Sequence, residues 1–220
     1  MKIHPFVEAV ASLKFEDCFN PYSDRCEIYD RRDAPRRRAT ALSAMLRRAA
    51  ETPVDAIWIG RDLGYRGGRR TGLALTDDVH IGQHARRWNL DVFEERPTIG
   101  NAVAERTAAV IWGMLEHIDA RIFLWNVFPL HPHEPGDSFT NRQHNACERR
   151  AGEELMQQLI ALLCPARIVA FGKDAAAAAQ RITESVPVIC VRHPSYGGQA
   201  LFKEQVSELY GHPTRNGLLF

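Results

Sequence analysis

The chain has 220 residues, of which 45% are hydrophobic and 25% are charged, and its formal net charge at pH 7 is +1. This composition excludes wholesale disorder, and the small net charge means that any contact with nucleic acid is a local patch. Five cysteines without a CxxC pair favour reduced thiols over a disulfide framework. Without a long apolar run or a signal-peptide pattern, we expect a cytoplasmic protein with no membrane partner and no obligate protein partner.

The hydrophobic pattern predicts alternating strands and helices after an irregular N-terminal lead-in at residues 1–38. That lead-in ends in the charge-rich stretch Asp30–Arg38, which fits either a solvated surface or an arm that contacts phosphates. The segment Gly60–Asp78 holds five glycines and four arginines and is expected to be a functional loop. The expected strands cover residues 54–60, 121–127, 167–171 and 187–191, and the expected helices cover 39–50, 98 or 101 to 118, 141–163, 174–182 and 201–210.

Apolar strands that alternate with helices predict a parallel sheet buried on both faces. We therefore expect one domain over residues 1–220, an α/β fold with a three-layer α/β/α sandwich around a four-stranded, mainly parallel sheet. Asp62, Asn126 and His193 each close or follow a predicted strand, where such sheets bind ligands, so we expect them to meet in one pocket. Each also fits a role without chemistry: an Asx turn for Asp62, the satisfaction of loop backbone groups for Asn126, and a structural or merely exposed loop histidine for His193.

Metal-binding patterns in the sequence are weak. His131, His133, Glu134 and Asp137 lie close together, but the flanking prolines and the lack of a second ligand pair favour a surface loop. Neither these histidines nor His144 is assigned a role, and the scattered cysteines form no zinc pattern. We expect no metal and no cofactor.

Three segments, taken together, resemble the motifs of the uracil-DNA glycosylase superfamily over about Val54–Tyr210. The superfamily has a G-x-[D/N/A]-P-[Y/G/A] loop after its first core strand, and residues 60–64 are Gly-Arg-Asp-Leu-Gly. Its strand-ending asparagine corresponds to Asn126, and its His-Pro-Ser turn corresponds to residues 193–195. Residues 141–142 before a helix and residues 164–176 resemble the iron–sulfur branch, and Thr71-Gly72 resembles the Thr-Gly pair that follows the first motif.

Departures from the family pattern concern both the pocket and the cluster. Leu63 replaces the usual proline, and Gly64 stands where the most uracil-selective branch has a tyrosine that excludes a 5-methyl group, which implies a roomier pocket. Leu75 lies near the usual base-stacking aromatic, for which the alternatives are Trp88, Phe93 and Tyr65. Leu130 occupies the position of a cluster cysteine, and with only Cys147 and Cys18 resembling ligands we expect no iron–sulfur cluster.

The resemblance implies a monofunctional uracil-DNA glycosylase of base excision repair, which flips uracil out of single- or double-stranded DNA and hydrolyses its N-glycosidic bond. It implies that Asp62 positions water and stabilises the cationic sugar, and that His193 donates a hydrogen bond to the base O2. The expected base-binding residues are Gly60, Arg61, Leu63, Gly64, Leu75 and Asn126. The expected DNA contacts are Arg66, Arg69, Arg70, Lys173, Arg192, Ser195, Tyr196 and Gly197, with Tyr196 or Gln199 filling the vacated stack. Such an enzyme would associate with the nucleoid when bound to DNA.

Three alternatives remain open for this sequence. One is a hypoxanthine- or xanthine-DNA glycosylase of the same fold, which a wider pocket would permit. Another is a catalytically silent module that binds damaged DNA, although the presence of both Asp62 and His193 argues against it. The third is a nucleoside or nucleotide hydrolase without a DNA role, and the arginine-rich loop favours DNA over this alternative.

Overall fold

A computed structural model describes residues 2–90 and 95–211. Its strands are β1 (Cys18–Phe19), β2 (Ala56–Asp62), β3 (Ile122–Phe128), β4 (His131–Pro132), β5 (Ile168–Phe171) and β6 (Val188–Val191). Its helices are α1 (Pro5–Ser12), α2 (Ala34–Ala49), α3 (Gly68–Thr71), α4 (Ile81–Arg87), α5 (Arg106–Leu115), α6 (Ala146–Leu163), α7 (Lys173–Ile182) and α8 (Gln199–Tyr210).

The central sheet has four strands in the order β3-β2-β5-β6, and all neighbouring pairs are parallel. Successive side chains of a strand point to opposite faces, so Ile57 and Phe123 pack with α1, α2, α4, α6 and α7. Trp58 and Leu124 point the other way and pack with α5 and α8. The predicted three-layer α/β/α sandwich is confirmed. A second, two-stranded antiparallel sheet joins β1 to β4.

The irregular lead-in predicted for residues 1–38 is wrong. Helix α1 begins with Pro5 in its first turn, and its N-cap His4 accepts a hydrogen bond from the Phe6 N–H. Phe6, Val7 and Val10 are buried against the sheet, which gives this eight-residue helix its stability. Helix α2 begins at Ala34 rather than at residue 39. The N-terminal segment is therefore part of the core.

The charge-rich stretch Asp30–Arg38 is only in part the solvated surface that its composition suggests, because Arg32 and Arg36 are exposed whereas its two ends are buried. Arg38 is completely buried, and its guanidinium forms an ion pair with buried Asp30. The same guanidinium donates to the carbonyl oxygens of Arg70 at 2.8 Å and of Pro21 at 3.3 Å. Since Arg70 lies in α3, the Arg38 side chain connects α2 to the segment that follows β2.

Helices α5 and α6 begin later than predicted because side chains form hydrogen bonds with the backbone of the residues ahead of them. Buried Asp78 accepts hydrogen bonds from the Thr98 hydroxyl and the Val103 N–H, so α5 begins only at Arg106. Helix α6 begins at Ala146, after a capping box between Asn145 and Glu148. The structure also adds α4, which the sequence pattern did not predict. None of the described helices is both long and apolar enough to cross a membrane.

Candidate active site at the carboxyl edge of the sheet

A cavity of about 830 Å³ opens at the carboxyl ends of the parallel strands. Asp62 is the last residue of β2, Asn126 lies in β3 directly opposite Gly60, and His193 follows β6 by two residues. All three side chains line this cavity. The strand order places β3 and β6 on either side of the β2–β5 pair, so residues far apart in sequence meet here. The predicted convergence of these residues in one pocket is confirmed.

Asn126 is the most unusual polar group of the cavity. Its side chain is buried at 1% exposure, yet neither amide atom has a hydrogen-bond partner among the described residues. Gly60 makes room for it, because a Cβ atom at that position would lie 2.5 Å from the Asn126 Oδ1. Buried polar groups of folded proteins are nearly always hydrogen-bonded. Both atoms of this amide are thus free to form hydrogen bonds with a ligand that enters the cavity.

Asp62 is held between two basic side chains. The Arg61 Nε donates to one carboxylate oxygen at 2.7 Å, and the His144 Nδ1–H donates to the other. The Phe128 ring packs edge-on against His144 with its centroid 6.2 Å away. His144, which sequence reasoning left without a role, is therefore part of the site. It immediately precedes the Asn145 cap of α6, and this helix start brings it to β2.

His193 presents a defined hydrogen-bond donor to the cavity. Its Nδ1 accepts from the Ser195 N–H at 3.2 Å, with the Ser195 Oγ at 2.7 Å, so the ring proton is on Nε2. Burial, reinforced by the positive charges of Arg61 and Arg192, lowers the pKa of His193 below its usual 6.5. The imidazole is consequently neutral at physiological pH and offers Nε2–H as a donor.

Glu105 is a second carboxyl group in the cavity, and sequence reasoning did not identify it. It occupies the N-cap position of α5 without a side-chain capping hydrogen bond, and its side chain extends to the loop residues Gly64 and Gly67. Burial and the nearby carboxylate of Asp77 raise the pKa of Glu105 to about 7, although Arg66 opposes this shift. Both the acid and the anion of this side chain are thus populated near neutral pH.

These features agree with a comparison of the chain with known families. A model of the Uracil DNA glycosylase superfamily matches residues 54–210. The chain belongs to this superfamily. Its fold also matches the crystal structure of wild-type Pedobacter heparinus SMUG2 with a TM-score of 0.59, at 12% sequence identity, over 96% of this chain and 98% of that one. A search of curated proteins found no significant match.

The three superfamily motifs all contribute residues to the cavity wall. All of the expected base-binding residues line it, namely Gly60, Arg61, Leu63, Gly64, Leu75 and Asn126. Leu75 adopts a left-handed backbone conformation with φ of 55°. Such strain in a residue other than glycine is typical of functional sites.

The rim of the cavity contains several of the expected DNA contacts. Lys173, Arg192 and Ser195 line it, as does Tyr196, which is 97% exposed and has φ of 52°. Arg66 and Gly197 are exposed outside the cavity wall, as is Gln199, the alternative to Tyr196 for filling the stack. These residues are therefore accessible to a nucleic acid.

Two of the expected DNA contacts are wrong. Arg69 and Arg70 lie in α3 and are 3% and 7% exposed. Arg69 contacts His131 at 3.0 Å and donates to the Tyr29 hydroxyl, whereas Arg70 pairs with Asp78 at 2.7 Å. Both guanidinium groups are thus buried and have partners inside the protein. They hold the loop in place and do not contact phosphates.

Two of the three alternatives for a stacking aromatic, Trp88 and Tyr65, are not supported. Trp88 is buried in the core against Phe123, with ring centroids 5.9 Å apart, so it is wrong as a stacker. Tyr65 lies outside the cavity wall, with the Arg66 guanidinium 5.5 Å from its ring, and Phe93 lies outside the described residues. Phe171, at the end of β5, also lines the cavity wall, but its ring packs edge-on against Trp58 and Phe202 in the core.

The residues present do not fit the iron–sulfur cluster of the related branch. Leu130, at the position of a cluster cysteine, is buried among apolar residues. Cys147 is exposed and Cys18 half-buried, and burial raises the pKa of the Cys18 thiol, which opposes thiolate ligation. Within residues 2–90 and 95–211, no group of three or more His, Cys, Asp or Glu side chains could hold a metal ion.

Proposed function

We propose that the protein is a monofunctional DNA glycosylase that hydrolyses the N-glycosidic bond of uracil in DNA and leaves an abasic site. The observation that supports this most is the buried, unpartnered Asn126 amide in the same cavity as Asp62 and His193. An amide can match a base edge with one donor and one acceptor. Since a base inside a duplex cannot reach such a cavity, the nucleotide must be flipped out of the stack.

Asp62 is the group placed to support the cationic sugar. As the C1′–N1 bond breaks, positive charge develops on the sugar, and a fixed carboxylate stabilises it more than mobile water would. Arg61 and His144 each engage one oxygen of Asp62, and the remaining lone pairs can hold the attacking water. The water oxygen bonds to C1′, and its proton passes to the carboxylate.

His193 complements Asp62 at the departing base. Its Nε2–H would donate to the uracil O2, where negative charge develops as the bond breaks. A neutral donor suffices because the leaving base is an anion, and preorganised donors of this kind contribute about 10²–10³ in rate. The Ser195 contacts fix the imidazole ring, so no reorganisation is needed during the reaction.

DNA would approach across the rim. Lys173 and Arg192 are exposed cations suited to phosphate oxygens, and Arg66 extends this surface on the side of the loop. The exposed Tyr196 ring, next to the base pocket, is suited to fill the space that the flipped base leaves in the stack.

Asn126→Ala tests base recognition directly. Loss of a bidentate base contact of about 1–3 kcal/mol should lower kcat/KM for uracil DNA by about 5- to 150-fold. The measurement uses end-labelled oligonucleotides with one uracil, and alkali reveals abasic sites. Asn101→Ala, at an exposed residue outside the cavity wall, is the matched control and should retain the wild-type rate. Equal rates for both variants would contradict the proposal, and tight binding without excision by the wild type would favour the silent damage-binding module.

The pKa of His193 leads to an expected pH dependence. Because its folded-state pKa lies below 6.5, the neutral donor persists as the pH falls through 6.5. We expect a uracil excision rate that is level from about pH 8 to 6.5 and declines only at lower pH. In His193→Gln, which keeps a donor but does not titrate, the rate should be lower overall and the acid decline should diminish. Exposed His117→Gln should reproduce the wild-type profile. A wild-type rate already halved at pH 6.5 would contradict this assignment.

A further inference from the structure

Three carboxyl groups line the described cavity wall, and two of them, Asp62 and Asp174, form ion pairs with Arg61. The third, Glu105, forms no ion pair with the described residues and has no part in the proposed reaction. Its backbone is fixed, because the Glu105 N–H donates to the Asp77 Oδ2 at 2.6 Å. Asp77 is itself buried and accepts from the Val79 and His80 N–H groups. The Glu105 backbone at the N-terminus of α5 is thus held in a fixed position.

The loop after β2 is shaped around the Glu105 carboxyl group. A Cβ atom at Gly64 would lie 2.9 Å from one carboxyl oxygen, and a Cβ atom at Gly67 would lie 2.1 Å from the other. With the Glu105 carboxyl group in this position, neither Gly64 nor Gly67 has space for a side chain. No hydrogen bond to its oxygens is formed by the described residues, so both oxygens are available to a ligand.

The charges around Glu105 favour a proton on it. The Asp77 carboxylate faces it from the segment before α4, and the Arg66 guanidinium faces it from the loop after β2. Burial outweighs the effect of Arg66, which leaves the pKa of Glu105 at about 7. A protonated carboxyl group is a hydrogen-bond donor and a general acid at neutral pH.

We propose that Glu105 extends this site to deaminated purines by protonating N7 of a flipped hypoxanthine or xanthine. This inference rests on the proposed glycosylase function. A base whose sugar side meets Asp62 and His193, and whose N1–O6 edge meets Asn126, has one edge left, the one that contains N7. Glu105 lines the same cavity, and in this arrangement its carboxyl group serves that edge. Uracil has only carbon-bound hydrogens there, so the same group gives uracil no assistance.

The proposed step is balanced without any further reactant. The C1′–N9 bond breaks with its electron pair going to the purine, while the Glu105 proton moves to N7, so the purine leaves as a neutral molecule. Water forms the new bond to C1′ and gives its proton to Asp62. Solvent then returns a proton to Glu105 and removes one from Asp62, and one water is consumed overall.

The experiment compares hypoxanthine with 7-deazahypoxanthine, which lacks the N7 acceptor, in otherwise identical oligonucleotides. In the wild type the ratio of the two single-turnover excision rates should be large, and it should fall by about 10²-fold in Glu105→Gln, which keeps the shape but cannot give up a proton. The wild-type rate on hypoxanthine should also decline as the pH rises above about 7, and this decline should be absent in Glu105→Gln. Exposed Glu154→Gln should keep the wild-type ratio.

The outcomes separate this inference from the function on which it rests. An unchanged ratio in Glu105→Gln, with both purines slowed alike, would show that Glu105 acts only structurally and would overturn the inference. Excision of uracil without excision of hypoxanthine by the wild type would overturn it as well, yet leave the proposed function intact. Failure to excise any of the three bases would overturn both.

Discussion

Asp62→Asn is expected to lower the single-turnover rate of uracil excision by about 10²–10⁴-fold. The substitution keeps the size of the side chain but removes the charge that opposes the cationic sugar. It also leaves Arg61 and His144 without their anionic partner, so the water is no longer held in place. Binding of uracil DNA should change much less, because the phosphate contacts of the rim are retained. Single-turnover rates and equilibrium binding on the same oligonucleotide measure the two effects separately.

Asp174→Asn is the matched control for this experiment. Asp174 also lines the cavity and lies 3.6 Å from the Arg61 guanidinium, but it is exposed, and His144 pairs with Asp62 instead. It should retain the wild-type excision rate within a few-fold. If Asp62→Asn were as active as Asp174→Asn, the reaction would not depend on Asp62 and the proposed mechanism would be wrong.

Arg38→Met is expected to have the largest effect on stability. It removes the partner of buried Asp30 and leaves a carboxylate without compensation in the interior. Breaking a buried ion pair in this way costs about 3–5 kcal/mol. The carbonyl oxygens of Arg70 and Pro21 also lose their donor. The free energy of unfolding, obtained from urea denaturation, is the quantity to measure.

Arg36→Met makes the same change two residues earlier on α2, at an exposed position. Surface substitutions of this kind usually change stability by no more than about 0.5 kcal/mol. A double variant in which Asp30 and Arg38 are both apolar should recover much of the loss, since the cost arises from the unpaired charge. Equal stability of Arg38→Met and Arg36→Met would mean that the ion pair does not hold the fold.

The sheet was predictable because its strands are short apolar runs that end in polar residues. The run around Ile57 and the run around Val169 are each buried on both faces, which is the condition under which composition alone identifies a strand. The N-terminal segment was not predictable in the same way. An eight-residue helix contains only two turns, so Phe6, Val7 and Val10 give too short a periodicity to be distinguished from a loop.

The site residues at strand ends were predicted from the sequence, and those at helix starts were missed. Asp62 and Asn126 lie at or near the carboxyl ends of strands and His193 follows one, whereas His144 and Glu105 precede helices whose starts were placed too early. An Asn-x-x-Glu pattern at residues 145–148 marks a capping box and would have located the start of α6. No comparable pattern marks α5, whose start depends on the distant carboxylates of Asp77 and Asp78.

Charge in the sequence was a poor guide to exposure. Arg38, Arg69 and Arg70 all belong to arginine-rich stretches, yet each is buried with an internal partner. The partners Asp30, Asp78 and Tyr29 lie between 8 and 40 positions away along the chain. Such pairings depend on tertiary structure, so composition does not distinguish a buried arginine from one on the surface.

The unpartnered amide of Asn126 lowers the stability of the fold at the same position where the proposed activity requires it. A buried polar group without a hydrogen bond costs a folded protein about 1–3 kcal/mol, and leucine, which has the same number and branching of side-chain heavy atoms, would avoid that cost. Selection for heat resistance alone would therefore favour Asn126→Leu, and selection for repair would eliminate it. Stabilised versions of this protein for use as a reagent should accordingly keep Asn126 and Gly60 unchanged and draw their substitutions from residues outside the cavity.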